Sequence, residues 1–297
     1  TKIIMKHLGQ LYNTFSIVGF DPITGNLGVA VATKYIAVGS SVPFAKAEIG
    51  AIAVQAYANP VLGPQGMELL SQGLSPEEVI ETLIEHDSGF EYRQLGIVDS
   101  KGQAKSYTGS KCEDWAGGLT GPNCSAQGNM LIGAETVSAM IDWFVSHNGN
   151  LADRLLGSLI EGERVGGDKR GRQSSALVVD STKNALAVYN NKLIDLRVDS
   201  HPNPCQRLKE LLNEYYDIQV KTLKKDYLPL TNEIIKDIQL ALYRLGRYVG
   251  DFTGNYNKQT RVSLWNFCVS ENQQNRWSEE NSIDPKLLHY LIKVSQI

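Results

Sequence analysis

Residues 14–56, TFSIVGFDPITGNLGVAVATKYIAVGSSVPFAKAEIGAIAVQA, constrain the fold more than any other part of the chain. Apolar and polar residues alternate at the start, turn residues follow at 21–26, and residues 27–32 form a nearly continuous apolar run. Alternation predicts a half-buried strand, and a short apolar run predicts a strand that is covered on both faces. The stretch therefore predicts two strands, a polar crossing and a third strand at 48–58.

Helical patterns occur between further predicted strands. Ser75-Pro76-Glu77-Glu78 combines an N-cap serine, proline at the first helical position and glutamate at the third, which indicates a helix start. Two more helices are predicted, at 135–147 and 151–162. Hairpins are predicted at 92–108 and between the strand at 174–180 and residues 184–189, whereas residues 109–126 are interpreted as one long structured loop. The pattern as a whole predicts an α+β domain.

Composition excludes some classes of function. The net charge of −3 and the pI of about 6.0 argue against a nucleic-acid partner. We expect no membrane span, because no apolar run reaches the roughly 18 residues that a spanning helix needs. We find no signal peptide, which favours the cytoplasm. Cys112 and Cys124 lie in one Gly-rich segment, and either a disulfide or free thiols would fit them.

Several separated blocks make the chain similar to a known family. The chain resembles the DUF1028 family, whose activity is not established, in four blocks that occur in the family's order: residues 14–56, RQLGIVDSKGQAKSYTG, AQGNML and GGDKRGRQSSALVV. That family is regarded as having the N-terminal nucleophile (Ntn) hydrolase fold. The resemblance implies a four-layer αββα sandwich for residues 1–203.

The C-terminal part resembles a different family. We expect a helix and linker at 204–230 and a small helical domain at 231–297. It resembles a peptidoglycan-binding domain in the pattern formed by IQLALYRLG, Tyr248, Gly250, Asp251 and Thr260. A three-helix docking domain without a wall ligand is the alternative. A wall-binding domain would suit export, which conflicts with the missing signal, so the compartment stays open.

The resemblance to Ntn hydrolases makes Thr14 the candidate nucleophile. Such an enzyme attacks with the side chain of its first residue and uses the free α-amino group of that residue as the base. Here residues 1–13 precede Thr14, so its nitrogen is an amide until the Asn13–Thr14 bond is cleaved. Alternatively, Thr14 is simply the first residue of an inner strand.

Other residues are candidates to support this chemistry. Lys46 is near the position of the lysine that lowers the nucleophile's pKa in proteasome-type enzymes. Thr33 occupies the place of a charged support residue, although it lacks the carboxylate. The side-chain amide of Asn129 could donate to an oxyanion, and Gln55 and Asn59, at the end of a strand, could do similar work.

The segment Gly166-Gly167-Asp168-Lys169-Arg170-Gly171-Arg172-Gln173 is the most function-like loop. Its glycines would allow the backbone to approach a ligand, and its arginines could bind a carboxylate or phosphate as a bidentate fork. We therefore include Asp168, Arg170, Arg172 and Gln173 among the substrate-binding candidates. An internal salt-bridge network around Asp168 and Asp199 is the alternative.

No metal or cofactor is expected. Asp195, Arg197, Asp199 and His201 alternate along one predicted strand, which fits an ion-pair ladder better than a metal site. The chain lacks the sequence patterns of nucleotide-binding loops, zinc proteases and serine-hydrolase elbows.

Three hypotheses of function follow. The first is an Ntn-type amide hydrolase with Thr14 as nucleophile after processing. Its substrate would be a small amide or peptide, for which the C-terminal resemblance implies a cell-wall origin. The second is a non-catalytic binding protein on the same fold that recognises an anionic small ligand or a cell-wall glycan. The third is a homo-oligomeric scaffold with polar loops at subunit contacts, and we expect a homo-oligomer in any case.

Overall fold

The structure is a computed structural model that describes residues 10–183, 191–219 and 222–296. Its internal contacts divide the chain into two compact units, Thr1–Leu211 and Leu212–Ile297. The three-segment division expected from the sequence stays a prediction. Residues 184–189, for which a hairpin strand was expected, lie outside the described residues.

The first unit contains two antiparallel sheets. The strands are β1 (Gln10–Tyr12), β2 (Thr14–Phe20), β3 (Leu27–Thr33), β4 (Pro43–Lys46), β5 (Gly50–Ala58), β6 (Arg93–Asp99), β7 (Ala104–Thr108), β8 (Gly117–Gly121), β9 (Cys124–Gly128), β10 (Ser174–Asp180) and β11 (Lys192–Val198). The first sheet has the order β1-β5-β6-β7, and β4 pairs with the first half of β5. The second sheet has the order β11-β10-β3-β2-β9-β8.

Helices cover the outer face of each sheet. The helices of the first unit are α1 (Leu62–Ser71), α2 (Pro76–His86), α3 (Glu135–Ser146) and α4 (Leu151–Val165), and α5 (Pro204–Gln219) contains the boundary between the units. Helices α1 and α2 contact the first sheet, α3 and α4 contact the second, and the two sheets contact each other. The layers follow the order α, β, β, α. This confirms the α+β class, whereas the assignment to the Ntn hydrolases stays a prediction.

Strands β2 and β3 are buried along their whole length, because the other sheet covers one face and α4 covers the other. Val18, Val29 and Val31 point into the core between the sheets. Gly19 and Gly28 allow α4 to approach closely, because a Cβ at either position would lie within 3.0 Å of the Leu155 side chain. The apolar run that dominates the sequence is thus a strand pair at the centre of the unit.

Two expectations are corrected. Residues 109–126 are not one long loop, because β8 and the start of β9 form a hairpin there, turning at Asn123 with a φ of 62°. Glycine-rich strands are hard to recognise from sequence, since glycine is normally depleted in strands. The polar crossing between the second and third predicted strands also contains β4.

The second unit is mostly helical. Its core joins α6 (Asn232–Arg244), α7 (Lys258–Ser270) and α8 (Pro285–Val294), together with a short strand pair, β12 (Leu228–Pro229) and β13 (Ser282–Ile283). Within this core Gln239 is fully buried; it donates to Thr260 Oγ1 (2.9 Å) and accepts from the Gly254 amide (3.1 Å). Among the described residues, no helix is long and apolar enough to cross a membrane.

Candidate functional site

Thr14 lies at the buried start of β2, opposite Thr33 of β3 in the sheet register. Its carbonyl oxygen accepts hydrogen bonds from the Asn129 amide (3.0 Å) and Gln55 Nε2 (3.2 Å). Its hydroxyl has no hydrogen-bond partner among the described residues. The predicted nucleophile is therefore held firmly by its backbone, while its reactive oxygen is uncommitted.

The carbonyl oxygen of the peptide bond before Thr14 accepts from two side chains. The carbonyl oxygen of Asn13 accepts from Thr33 Oγ1 at 2.5 Å and from Arg170 Nη2 at 2.7 Å. A hydroxyl and a guanidinium that converge on one carbonyl oxygen would stabilise negative charge developing on it. The structure thus brings three predicted site residues, Thr14, Thr33 and Arg170, to a single peptide bond.

Asp168 holds Arg170 in place. Its carboxylate is buried and accepts from Arg170 Nε (3.0 Å), Arg170 Nη2 (2.6 Å) and the Lys34 amide (3.0 Å). The loop can turn back on itself because Gly167 and Gly171 adopt φ values of 64° and 108°, which favour glycine. Asp168 is therefore a positioning residue for the guanidinium.

A layer of buried amide side chains lies between the two sheets beside Thr14. Gln55 Oε1 accepts from Ser16 Oγ (2.6 Å), and Gln55 Nε2 donates to Gln94 Oε1 (2.8 Å). Gln94 Oε1 also accepts from Asn129 Nδ2 (2.9 Å), and Gln127 Nε2 donates to Ser16 Oγ (2.7 Å). Gln94, Gln127 and Ser16 were not predicted as site residues. The available signal was a polar residue among the apolar and small residues of each of these three strands.

Three of the eight buried side-chain atoms that lack a hydrogen-bond partner in the described residues belong to this site. Among the described residues, Asn13 Oδ1, Thr14 Oγ1 and Asn129 Oδ1 are buried side-chain oxygens without a hydrogen-bond partner. Buried polar groups in native proteins are nearly always paired, so such a group calls for a structural or chemical explanation. Asn129 donates with both its backbone and side-chain nitrogens, which leaves its side-chain oxygen as the uncommitted group.

Two predicted residues lie away from this cluster. Lys46 is exposed at the end of β4 and pairs with Gly50, five residues before Gln55 on β5, or roughly 17 Å along the strand. The prediction relied on its distance along the chain from Thr14. It did not include β4, which carries Lys46 away from Thr14. Asn59 accepts from the Val61 amide (3.2 Å) and contacts Asp87, so it supports the start of α1.

The cations of the glycine-rich loop all have protein partners. Lys169 Nζ donates to the Asp114 carbonyl (2.6 Å), and Arg172 forms an ion pair with Glu163 (3.4 Å). Gln173 joins the sheet by donating its amide to the Thr33 carbonyl (3.0 Å). Arg170 is bound by Asp168, so this part of the predicted internal network is present. Asp199 contributes a backbone carbonyl to Ala37 instead.

A small cavity of about 50 Å³ adjoins the cluster and is lined by Thr33, Asp168, Glu163 and Arg172, among others. Burial raises the pKa of Glu163, and the nearby Arg172 opposes that shift. The volume suits a few water molecules or one small group.

The structure also places the cysteines and the predicted ion-pair ladder. All four cysteines are free, and burial raises the pKa of Cys112 to about 11 and that of Cys124 to about 12, so both are protonated thiols at neutral pH. In the described part of the chain, no group of three or more His, Cys, Asp or Glu side chains could hold a metal ion. Asp195 pairs with Lys192 (2.6 Å) and Arg197 (3.1 Å) along β11.

Comparisons with known proteins identify the family. Residues 14–208 match a family described as "Family of unknown function (DUF1028)", and residues 220–291 match "Putative peptidoglycan binding domain". The crystal structure of protein SPO2555 from Silicibacter pomeroyi, of the DUF1028 family, is 34% identical; the match covers 68% of this chain and 86% of that chain, with a TM-score of 0.63. The curated proteins contain no match. The chain therefore belongs to the DUF1028 family and carries a peptidoglycan-binding-like domain after its family domain.

Proposed function

We propose that this protein is an N-terminal nucleophile amide hydrolase whose nucleophile, Thr14, is released by cleavage of the Asn13–Thr14 bond. One observation carries the proposal: the Asn13 carbonyl oxygen lies between two donors, Thr33 and Arg170, beside an unpartnered Thr14 hydroxyl. Both donors reach the bond whose cleavage would free the Thr14 amine, and they would stabilise the negative charge that develops on its oxygen.

The same groups would support cleavage of the chain by Thr14 itself. Thr14 Oγ1 would attack the Asn13 carbonyl carbon, forming a C–O bond while the C–N bond breaks and the hydroxyl proton passes to the Thr14 nitrogen. Water would then hydrolyse the resulting ester, freeing the hydroxyl and leaving a carboxylate on Asn13. Thr33 and Arg170 would stabilise the oxyanion in both steps.

Release would also create the base. A free α-amino group titrates near pH 8, at about 7.7–8.0, so part of it is neutral at physiological pH. The Arg170 guanidinium, 2.7 Å from the carbonyl oxygen of the bond that breaks, would further favour the neutral amine through like-charge repulsion. Thr14 would then have its own base beside its hydroxyl.

We propose a small amide or peptide of cell-wall origin as the substrate. The small adjoining cavity favours a compact group next to Thr33, and the peptidoglycan-binding-like domain favours a wall-derived source. The alternative, an anion-binding protein, relied on the loop cations, and Lys169, Arg170 and Arg172 each have a protein partner. No observation favours the scaffold hypothesis over these two.

The test is the N-terminal sequence and intact mass of the protein expressed from its natural start. We expect a chain that begins at Thr14, with Thr14→Ala blocking cleavage and Thr14→Ser permitting it. Lys46→Ala, an exposed lysine outside the cluster, is the matched control and should cleave as the wild type does. An uncut wild-type chain after long incubation at neutral pH, or efficient cleavage of Thr14→Ala, would contradict the proposal.

A further inference from the structure

The residues just before Thr14 occupy defined positions in the uncut chain. The carbonyl oxygen of Asn13 accepts from Thr33 Oγ1 and Arg170 Nη2, beside the unpartnered Thr14 hydroxyl. After Asn13 has left, a substrate must present its own carbonyl group to the same donors and the same hydroxyl. The chain before Thr14 therefore shows where the acyl side of a substrate would lie.

Tyr12, the second residue before the bond that breaks, has specific contacts on several sides. Its hydroxyl donates to Ser41 Oγ (3.1 Å). Its ring meets the Tyr35 ring edge to face, with centroids 5.2 Å apart and planes at 82°. The ring also packs against two hydrophobic core clusters, one between the sheets and one between the first sheet and its helices. The space that Tyr12 occupies thus has apolar walls and one hydroxyl, which suits a phenol.

The side chain of Asn13, directly before the bond, is enclosed more tightly. It is buried, and its Nδ2 donates to Met130 Sδ (3.3 Å). Met130 is itself fixed, because its amide donates to the Glu113 carbonyl (2.8 Å) and its carbonyl accepts from the Lys169 amide (3.0 Å). An uncharged side chain of about this size fits the position, whereas a charged one would be buried at a high cost in free energy.

The wall that Tyr12 contacts is held by parts of the first unit that remain after cleavage. Ser174 Oγ donates to the Tyr35 carbonyl (2.5 Å) and accepts from the Val38 amide (3.1 Å). The Ser41 amide donates to the Val38 carbonyl (3.2 Å). None of these hydrogen bonds involves the leaving segment, so its departure would leave a preformed pocket with the Ser41 hydroxyl in its wall.

We propose that the processed enzyme hydrolyses peptides with a tyrosine two positions before the cleaved bond and a small uncharged residue directly before it, and that Tyr35 and Ser41 select the tyrosine. Thr14 Oγ1 would attack the carbonyl carbon of that bond; a C–O bond forms, the C–N bond breaks, and the hydroxyl proton passes through the Thr14 amine to the leaving amine. Water would then hydrolyse the ester and restore the hydroxyl. The inference rests on the hydrolase proposal and narrows its small peptide by side chain, whatever the source of the peptide.

Hydrolysis of fluorogenic peptides by the self-processed protein, with both units present, tests this inference. The reference substrate is acetyl-Leu-Tyr-Asn-aminomethylcoumarin, which copies residues 11–13 of the chain. Replacing its tyrosine by alanine should lower kcat/KM about tenfold or more, because the apolar pocket stays empty. Replacing the tyrosine by phenylalanine removes only the hydroxyl, and we expect a loss of about fivefold. Aspartate in place of asparagine should lower kcat/KM about tenfold or more.

One variant of the enzyme tests the assigned contact. Ser41→Ala should hydrolyse the tyrosine and phenylalanine substrates equally well, at the wild-type rate for phenylalanine. Ser71→Ala, which removes an exposed hydroxyl bonded within α1, is the control and should discriminate as the wild type does. Retained discrimination in Ser41→Ala, or a processed wild type that hydrolyses all the peptides equally or none of them, would overturn this inference alone. A wild-type chain that stays uncut would overturn the hydrolase proposal and this inference with it.

Discussion

Two buried polar clusters, one in each unit, differ in how completely their hydrogen bonds are formed. In the second unit, Gln239 donates to Thr260 and the Asn255 carbonyl and accepts from the Gly254 amide. In the first unit, the side-chain oxygens of Thr14 and Asn129 stay unpartnered among the described residues, although their surroundings are rich in donors.

This difference distinguishes buried polar groups that stabilise the fold from buried polar groups that are available for chemistry. A buried hydrogen bond that is fully formed contributes about 1 kcal/mol to stability, whereas an unsatisfied buried group costs about 1–3 kcal/mol. The motif residues of the second unit are thus explained by the fold, since Gln239 and Thr260 fix the loop between α6 and α7. The unsatisfied oxygens around Thr14 are not explained in this way, which favours a chemical role.

The largest effect is expected at the buried ion pair of the second unit. Arg276→Leu leaves Asp284 buried without its charged partner, and we expect the unit to lose about 3–5 kcal/mol of stability. Hydrogen exchange of residues 232–294, followed by mass spectrometry, measures the loss. Arg244→Leu, at an exposed position of the same unit, should have little effect. Equal protection in the two variants would refute this structural role.

The next effect concerns the cleavage rate. Arg170→Met removes a charged donor from the Asn13 carbonyl, and we expect self-cleavage to slow about 100-fold. Arg172→Met removes a cation from the same loop that contacts Glu163 instead, so its rate should stay near that of the wild type. Time courses by intact mass provide both rates. A similar slowing in the two variants would show that the positive charge of the loop matters, and not the specific hydrogen bond from Arg170.

The direct comparison of the two clusters uses one apolar substitution in each. Gln239→Leu strands several buried partners, and we expect a loss of about 2 kcal/mol. Thr14→Val replaces an unpartnered hydroxyl with a methyl group of similar size, and we expect a gain of up to about 1 kcal/mol together with loss of self-cleavage. Denaturant unfolding measures both. Destabilisation by Thr14→Val would show that its hydroxyl is satisfied after all.

The smallest effect is a pH dependence at Glu163 in the first unit. Burial raises its pKa in the folded state, so the stability it contributes is present below the unfolded value of about 4.3 and is lost as pH rises through the folded pKa. Glu163→Gln removes this loss. Unfolding experiments at about pH 4 and pH 7 should show that the stability of the variant relative to that of the wild type is greater at the higher pH. An identical pH dependence in both proteins would contradict the shift.

The sequence predicts much of the fold because burial and helix capping leave local patterns. The Ser75 capping box forms as expected, with Ser75 accepting from the Glu78 amide and Glu78 accepting in return. The central pair β2 and β3 also follows directly from its apolar run. The β8–β9 hairpin was missed because glycines carry no strand signal; at Gly118 a Cβ would lie 1.9 Å from Ser106 Oγ. That constraint comes from a neighbouring strand and is invisible locally.

The candidate site was predictable only in part, and for the same reason. The structure gathers six of the predicted residues around one peptide bond: Thr14, Thr33, Asn129, Gln55, Asp168 and Arg170. Gln94 and Gln127 join them through contacts between the sheets. Gly96 shows how specific these contacts are, since a Cβ there would lie 2.0 Å from Gln127 Oε1. Facing strands are set by tertiary packing, which one sequence does not reveal.

Strand β1 has a consequence for what would happen after cleavage. Its residues Gln10, Leu11 and Tyr12 pair with Ala58, Tyr57 and Ala56 of β5. Departure of residues 1–13 would leave this stretch of β5 as an open edge with unpaired backbone groups, next to the newly freed Thr14. Open edges of this kind bind extended peptides as an added strand. Before cleavage, β1 would therefore occupy the edge of β5 at which an extended substrate peptide would bind.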